Sequence, residues 1–306
     1  MPIFIVRKPL GMTSHDVVAN ARRALRTRAV GHAGTLDPLA AGVLVLLTEQ
    51  DTKLSQFLTA STKRYYAWVA FGANSLTCDA EGPITDGDRA AANDLTKERI
   101  VEQFPYFLAL TAQQPPVFSA VQQDGKRSYE RARQGEEFSL PPRRAGYEDI
   151  ELVAFAPRIG DLPLPPLVEP HDIPKQLGDY PVALIAVTVQ AGTYVRSFAR
   201  DLGERLGTGA HLAALVRYQA GAAHIRDSVE ISQLEHTMGA SAYDVLTLAR
   251  QVITGDEARR VRLGQRPKLV VSDVTALFTE HRELVAIVEP HPDNPRRIQF
   301  VRVFAE

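Results

Sequence analysis

Asp37 sits in the run Gly31-His32-Ala33-Gly34-Thr35-Leu36-Asp37-Pro38-Leu39-Ala40-Ala41-Gly42-Val43-Leu44, which sets one carboxylate among residues that control the backbone around it. Two glycines ahead of Asp37 and one behind allow unusual backbone angles and the close approach of a ligand. Pro38 fixes its own φ and biases Asp37 away from helical angles. A carboxylate on a stiff, irregular loop just ahead of a strand is placed to act as a nucleophile or general base. The same residue types also build turns in which an aspartate only caps backbone amides, so the loop by itself leaves both uses open. A second stretch, residues 115–133, offers Lys126, Arg127, Arg131 and Arg133 for phosphates, with Tyr129 interleaved. Those are the residue types that grip RNA, and also those of a solvated charged helix.

The elements that position these residues can be read from periodicity and punctuation. Thr13-Ser14-His15-Asp16 precedes Val17, Val18, Ala21 and Leu25 on one helical stripe, and Thr13 followed by Asp16 approaches a capping box. Residues 31–42 are expected to form a glycine-rich turn leading into Val43-Leu44-Val45-Leu46-Leu47, a buried strand. Residues 65–71 and 183–189 are strand-like as well. Val195, Phe198, Leu202 and Leu206 share one side of a helix that Gly207 can end. Residues 157–181 hold seven prolines and read as an irregular surface loop. Strands and helices interleave without a regular βαβ period, which predicts an α+β fold with a mixed sheet. From residue 253 onward short strand patterns recur, either as a small β-rich domain or as a lobe packed on the main sheet.

Composition narrows the class. The chain has 306 residues, 45% of them hydrophobic and 23% charged, with 20 Gly and 20 Pro, which excludes a disordered, collagenous or coiled-coil protein. The length accommodates one large domain and one small one, expected at 1–252 and 253–306. The single cysteine, Cys78, can make no intramolecular disulfide and no cysteine-built zinc site, as in a reducing cytosol. The 8 histidines show no H-E-x-x-H or paired Cys/His spacing, so no metal is expected. Residues 1–11 lack the pattern of a secretory leader, and no apolar run reaches the roughly 20 residues of a membrane span. These features predict a cytoplasmic protein. Lys and Arg number 35 against 36 Asp and Glu, a balance that argues neither for nor against a nucleic-acid partner. Locally, Arg7, Lys8, Arg22, Arg23, Arg26 and Arg28 face only Asp16 and Asp37 within residues 1–37, and residues 258–268 carry five cations and no acid. Such islands suit an RNA-binding enzyme, or scattered solvated arginines.

The run around Asp37, written G-H-x-G-x-L-D-P-x-A-x-G-V-L, resembles the signature of the TruB family of tRNA pseudouridine synthases, which act on uridine 55 of the T loop. Further matches follow in order: Lys8-Pro9-x-Gly11-Met12-Thr13-Ser14, Lys63-Arg64-Tyr65, Asp79-Ala80-Glu81-Gly82 and Pro115-Pro116 with Ser119-Ala120. Then come Gly125-Lys126 with Tyr129 and Ala132-Arg133, Gly192-Thr193-Tyr194-Val195-Arg196-Ser197, Asp201-Leu202-Gly203 and Gly209-Ala210-His211-Leu212. Together they span roughly residues 5–225. The resemblance implies a mainly antiparallel sheet of pseudouridine synthase type and a small C-terminal PUA-like RNA-binding domain. It also implies that Asp37 attacks the ribose or base of the target, that Arg196 pairs with that carboxylate, and that Tyr65 stacks on the flipped base and helps to remove its C5 proton. His32 is implied near the displaced nucleotide and Leu215 in an apolar pocket wall, while Lys63 and Tyr194, inside matched runs, join the substrate-binding set. Residues 113–135 correspond to an insertion that closes over the T arm, with Lys126, Tyr129 and Arg133 as its contacts.

Each implied role has a physical basis. A base inside a folded loop must be extruded at a cost of a few kcal/mol, and stacking on an aromatic ring returns about 1–3 kcal/mol. Detaching uracil from C1′ and rejoining it through C5 involves no oxidation, so no cofactor is expected. The implied partner is the tRNA T arm, and the lack of long basic extensions points to a monomer with no obligate protein partner. Three departures bear on RNA affinity: Gln190-Ala191 stands where relatives often carry a lysine, Val216 stands where many carry a basic residue with Arg217 beside it, and the 157–181 loop is long. Rival readings are a non-catalytic RNA-binding protein or tRNA-folding chaperone, a nucleic-acid N-glycosylase, and a subunit of a guide-RNA complex.

Overall fold

In a computed structural model of the chain, residues 2–119, 122–123, 126–128, 131, 138–175 and 178–304 are described, with 122, 123, 126, 127 and 295 described by backbone alone. Thr13 and Asp16 close a full capping box at the start of helix α1 (Ser14–Ala24): the Thr13 hydroxyl accepts from the Asp16 amide and the Asp16 carboxylate from the Thr13 amide. Helix α2 (Val195–Leu206) buries Val195, Phe198, Leu202 and Leu206 and stops at Gly207 in the left-handed conformation, as the stripe and its glycine predict.

Seven strands and one short one form an 8-stranded sheet: β1 (Ile3–Lys8), β2 (Val30–Ala33), β3 (Ala40–Thr48), β4 (Lys63–Phe71), β5 (Tyr147–Ala156), β6 (Val182–Val189), β7 (Ala210–Ala220) and the short Ala223–His224. Their order is β1–β3–β7–β4–β6–β5, with β2 on β3 and the short strand on β7. All pairings are antiparallel except β3 with β7, where Leu215, Val216 and Arg217 lie opposite Ala40, Ala41 and Gly42. The sheet is therefore mixed and mainly antiparallel.

One expectation needs correction. Of the expected turn 31–42, residues 31–33 and 40–42 are strand: Val30 to Ala33 pair with Thr48 to Val45, and β3 already begins at Ala40. The parallel strand β7 covers only the first residues of β3 on that edge. The remaining backbone donors and acceptors there require partners, and β2 supplies them, so sheet pairing overrides turn composition. The turn proper spans residues 34–39.

Side-chain alternation gives the sheet two different faces. On the rear face Ala41, Val43, Trp68, Leu184, Ala214 and Val216 share a core. On the front face there are two cores, one under α1 with Phe4, Leu44 and Leu46, the other under α2 with Ala67, Val69, Ile185 and Leu215. The loop carrying Asp37 joins β2 to β3, and its Leu36 and Leu39 pack in the α2-side core.

The C-terminal residues form a second, four-stranded sheet in the order β8 (Ala249–Val252), β9 (Thr275–Phe278), β10 (Leu284–His291), β11 (Asn294–Val303). Helix α3 (Gly255–Arg262) packs Ala258 and Val261 on one face with Leu277, Ala286 and Val288. From the other face Ala276, Phe278 and Ile287, with Phe304, merge into the rear core of the main sheet. Thus this lobe has a small core of its own and is also packed on the main sheet, and its first strand precedes residue 253. Among the described residues no helix is long and apolar enough to cross a membrane.

The proline-rich stretch is irregular, with two short 3₁₀ turns (Ile159–Asp161, Pro170–Asp172), and it is anchored. Asp172 is 1% exposed and takes Arg7 through both carboxylate oxygens, with Arg7 Nε at 3.1 Å. Arg7 therefore serves the fold rather than the basic island in which its sequence position places it. Arg7→Met is expected to lower unfolding stability by about 3 kcal/mol because Asp172 would stay buried without its cation. Urea unfolding measures this, and a loss under about 0.5 kcal/mol would mean the pair is solvated.

Candidate active site

The Asp37 loop is held from three sides. Ser14, the first residue of α1, both donates to Leu36 O at 3.0 Å and accepts from Leu36 N at 2.9 Å. The Gly11 amide donates to Pro38 O at 2.9 Å, and Ala40 N closes the turn onto Asp37 O at 3.0 Å. From β7, Arg217 donates through Nε to Val43 O at 2.7 Å and through Nη2 to Gly34 O at 2.9 Å. Two glycines are required by this geometry. Gly34 has φ +85°, and at Gly42 (φ +99°) a Cβ would lie 2.3 Å from Arg217 O, where β3 and β7 touch.

The Asp37 carboxylate is 41% exposed and faces a cavity of about 620 Å³. Its Oδ2 lies 2.9 Å from Nε of Arg196, an ion-pair distance without the angle of a linear hydrogen bond. Arg196, in the first turn of α2, is 7% exposed. Its Nη1 donates to Thr77 O at 3.1 Å and Phe118 O at 3.0 Å, and lies 3.6 Å from Oδ2 of Asp79. Asp79 is 2% exposed and is itself fixed by the Thr77 hydroxyl at 2.5 Å and the Glu81 amide at 3.1 Å. A buried guanidinium thus spans two carboxylates and two carbonyls, leaving Asp37 as the acid that reaches the cavity.

The cavity walls bring most of the expected residues together. Tyr65, Lys63, Tyr194, Leu215, Asp37 and Arg196 all line it. Tyr65 on β4 is half-buried against the α2-side core, and Leu215 is 7% exposed. Burial pushes the Tyr194 phenol up from its ordinary pKa, so it stays protonated. His32 does not line the cavity: it sits on β2 with its ring edge-on to His15, which does, at 5.7 Å between centroids. Burial, with the charges of His15 and Arg217, lowers its pKa and keeps the imidazole neutral near pH 7. Of the insertion, Tyr129 and Arg133 lie outside the described residues, and Lys126 is described by backbone only, in a short strand.

Two features escaped sequence reasoning. Val216 is fully buried in the rear core, so lacking a basic residue there removes no surface cation, while Arg217 is 1% exposed and lines the same cavity as Asp37 and Tyr65 with its guanidinium bound to backbone carbonyls. Period-2 alternation carries the Val216 signal once the strand is assigned to a central position, and it puts Arg217 on the same side as Leu215. Lys8 and Lys63 are also buried, at 0% and 6% exposure. Lys8 donates to Pro9 O, and Lys63 to Thr59 O and Ser61 O at the end of a short helical turn.

Burial pushes both ammonium groups down to about 8 from the usual 10.5, with the Arg217 charge adding to the effect. Because the unfolded chain keeps these protons to higher pH, their contribution to stability rises between pH about 8 and about 10.5. Lys63→Met is expected to flatten that rise in a series of urea unfolding curves. An unchanged slope would show that Lys63 does not titrate in this window.

Comparison with known proteins agrees with this architecture. The family model "TruB family pseudouridylate synthase (N terminal domain)" matches residues 22–195, and "tRNA pseudouridylate synthase B C-terminal domain" matches residues 196–258. A protein of Thermus thermophilus named tRNA pseudouridine synthase B is 42% identical over 316 aligned positions, covering 100% of this chain and 99% of its own length. One of the same name from Deinococcus radiodurans is 42% identical, covering 94% of this chain and 96% of its own length. Among solved structures, a chain of a Cbf5–Nop10–Gar1 complex superposes with a TM-score of 0.70 at 22% identity, covering 99% of this chain and 85% of that one, a likeness of fold. With its ordered matches, its sheet and an aspartate–arginine pair lining the cavity, the chain belongs to the TruB family of pseudouridylate synthases.

Proposed function

We propose that this protein converts uridine 55 in the T loop of tRNA to pseudouridine, without a cofactor, using Asp37 as the nucleophile. In the isomerisation the N1–C1′ bond breaks and a C5–C1′ bond forms. The proton on C5 leaves and N1 gains one, so atoms and electrons balance with no external reagent. Tyr65 stacks on the flipped uracil, Leu215 closes the apolar side of the pocket, and Arg196 keeps the Asp37 carboxylate ionised and aimed. Lys63 and Tyr194 bind the target nucleotide, and His32 backs His15 where the loop opens. The observation that carries this reading is the Asp37–Arg196 pair at 2.9 Å beside Tyr65 in one cavity. Residues 113–135 grip the T arm in this reading. The C-terminal lobe, with Arg259, Arg260, Arg266 and Lys268 exposed, contacts RNA phosphates rather than base edges.

The test is a tRNA transcript carrying 5-tritiated uridine, followed by mapping of the modified position. One equivalent of tritium released per tRNA, with pseudouridine at position 55, is the expected result. Release of free uracil would identify a glycosylase. Binding with no release at all would leave an RNA-binding protein.

A further inference from the structure

Arg217 is 1% exposed, and among the described residues no carboxylate lies within ion-pair distance of it, since Asp37 and Asp79 are both engaged by Arg196. A cation removed from water is costly unless polar groups surround it. Here those groups are backbone carbonyls: Val43 at 2.7 Å, Gly34 at 2.9 Å and Thr35 at 3.4 Å. They bracket the Asp37 turn, two ahead of it and one beyond. The backbone of residue 217 also packs against Gly42 so closely that a Cβ there would collide with its carbonyl. On the other edge of β7, Arg217 lies in register with Tyr65, and its guanidinium carbon is 6.0 Å from the centre of the Tyr65 ring.

We propose that Arg217 is a positioning residue: its guanidinium ties both feet of the Asp37 loop to the central strand and holds that loop in fixed relation to the Tyr65 ring. This inference rests on the reading of Asp37 and Tyr65 as the reacting and stacking groups. Arg217 lines the cavity, yet all three of its guanidinium nitrogens donate to backbone carbonyls around the loop, which sets it apart from a phosphate contact. Its charge is felt by Lys8, Lys63 and His32, which surround the same loop, and in each it favours the neutral form. A lysine cannot replace it, because a single ammonium cannot reach carbonyls on both sides of a turn in a planar fork.

The test compares wild type, Arg217→Lys and Arg217→Ala as full chains on a T-arm RNA tritiated at C5 of the target uridine, with RNA affinity from filter binding. Arg217→Lys is expected to slow the single-turnover rate about 100-fold, the effect of a small misplacement of reacting groups. Its RNA Kd should stay within about threefold of wild type, which separates lost positioning from lost binding. Amide hydrogen exchange across residues 34–43 should quicken, and added guanidinium ion should restore part of the rate to Arg217→Ala. A wild-type rate in Arg217→Lys, or a loss carried wholly by Kd, overturns the proposal. If Arg217→Ala does not fold, the lysine variant decides alone. If wild type itself releases no tritium, the functional reading fails, and unaltered protection of residues 34–43 in Arg217→Lys would then overturn positioning separately.

Discussion

An Asp37→Asn chain is expected to bind its RNA and leave it unchanged. Asparagine keeps the shape of the side chain, and the loop around it is held by Ser14, Gly11 and Arg217 rather than by the carboxylate. Structure and affinity should therefore survive. What disappears is the negative charge and the nucleophilic oxygen, so the rate of tritium release should fall by at least about 10⁴-fold. Thermal unfolding should change little, because Asp37 is 41% exposed and its ion pair with Arg196 is open to water on one side. Release within tenfold of wild type would remove Asp37 from the chemistry. A large loss accompanied by weaker RNA binding would instead make it a binding group.

The second large effect is expected at Arg196. Its guanidinium meets Asp37, Asp79, Thr77 O and Phe118 O together, so Arg196→Lys keeps the charge but loses the fork. The rate should drop about 10²–10³-fold, the scale seen when one preorganised electrostatic partner is removed from an enclosed site. Arg196→Met should lose as much in rate and add a folding cost of about 3 kcal/mol, because Asp79 is 2% exposed and would keep its charge without a cation. Combining Arg196→Met with Asp79→Asn should return part of that stability but none of the rate. A double variant no more stable than Arg196→Met would mean that the Arg196–Asp79 contact at 3.6 Å carries little energy.

Much of the site was legible because its parts are local. A capping box needs only residues 13 and 16, a helix stop needs a glycine after the last apolar turn, and the irregularity around Asp37 is written in Gly34, Pro38 and Gly42 themselves. Continuous apolar runs then find β3, β4 and β6 and a 3.6-residue stripe finds α2; Asp37 lies just ahead of β3, Tyr65 on β4 and Arg196 in the first turn of α2. The His32 strand is not legible locally, because its residues read as a turn until a partner edge is known. Arg7 reads as one cation of a basic island because its partner, Asp172, lies far along the chain in a segment that looks like plain loop.

Capping, turning and helical periodicity are set by preferences that act over a few neighbouring residues, and so they can be read along the chain. Tertiary structure alone decided which strands become neighbours. The parallel pairing of β3 with β7 places Arg217 beneath the Asp37 loop and turns Val216 into the rear core, and the cavity opens between the start of α1 at Thr13, Ser14 and His15 and the α2-side core at Leu36, Val195 and Leu215. No short-range rule contains that outcome. It follows from burying two sheet faces at once while every backbone donor and acceptor on the shared edge of β3 finds a partner.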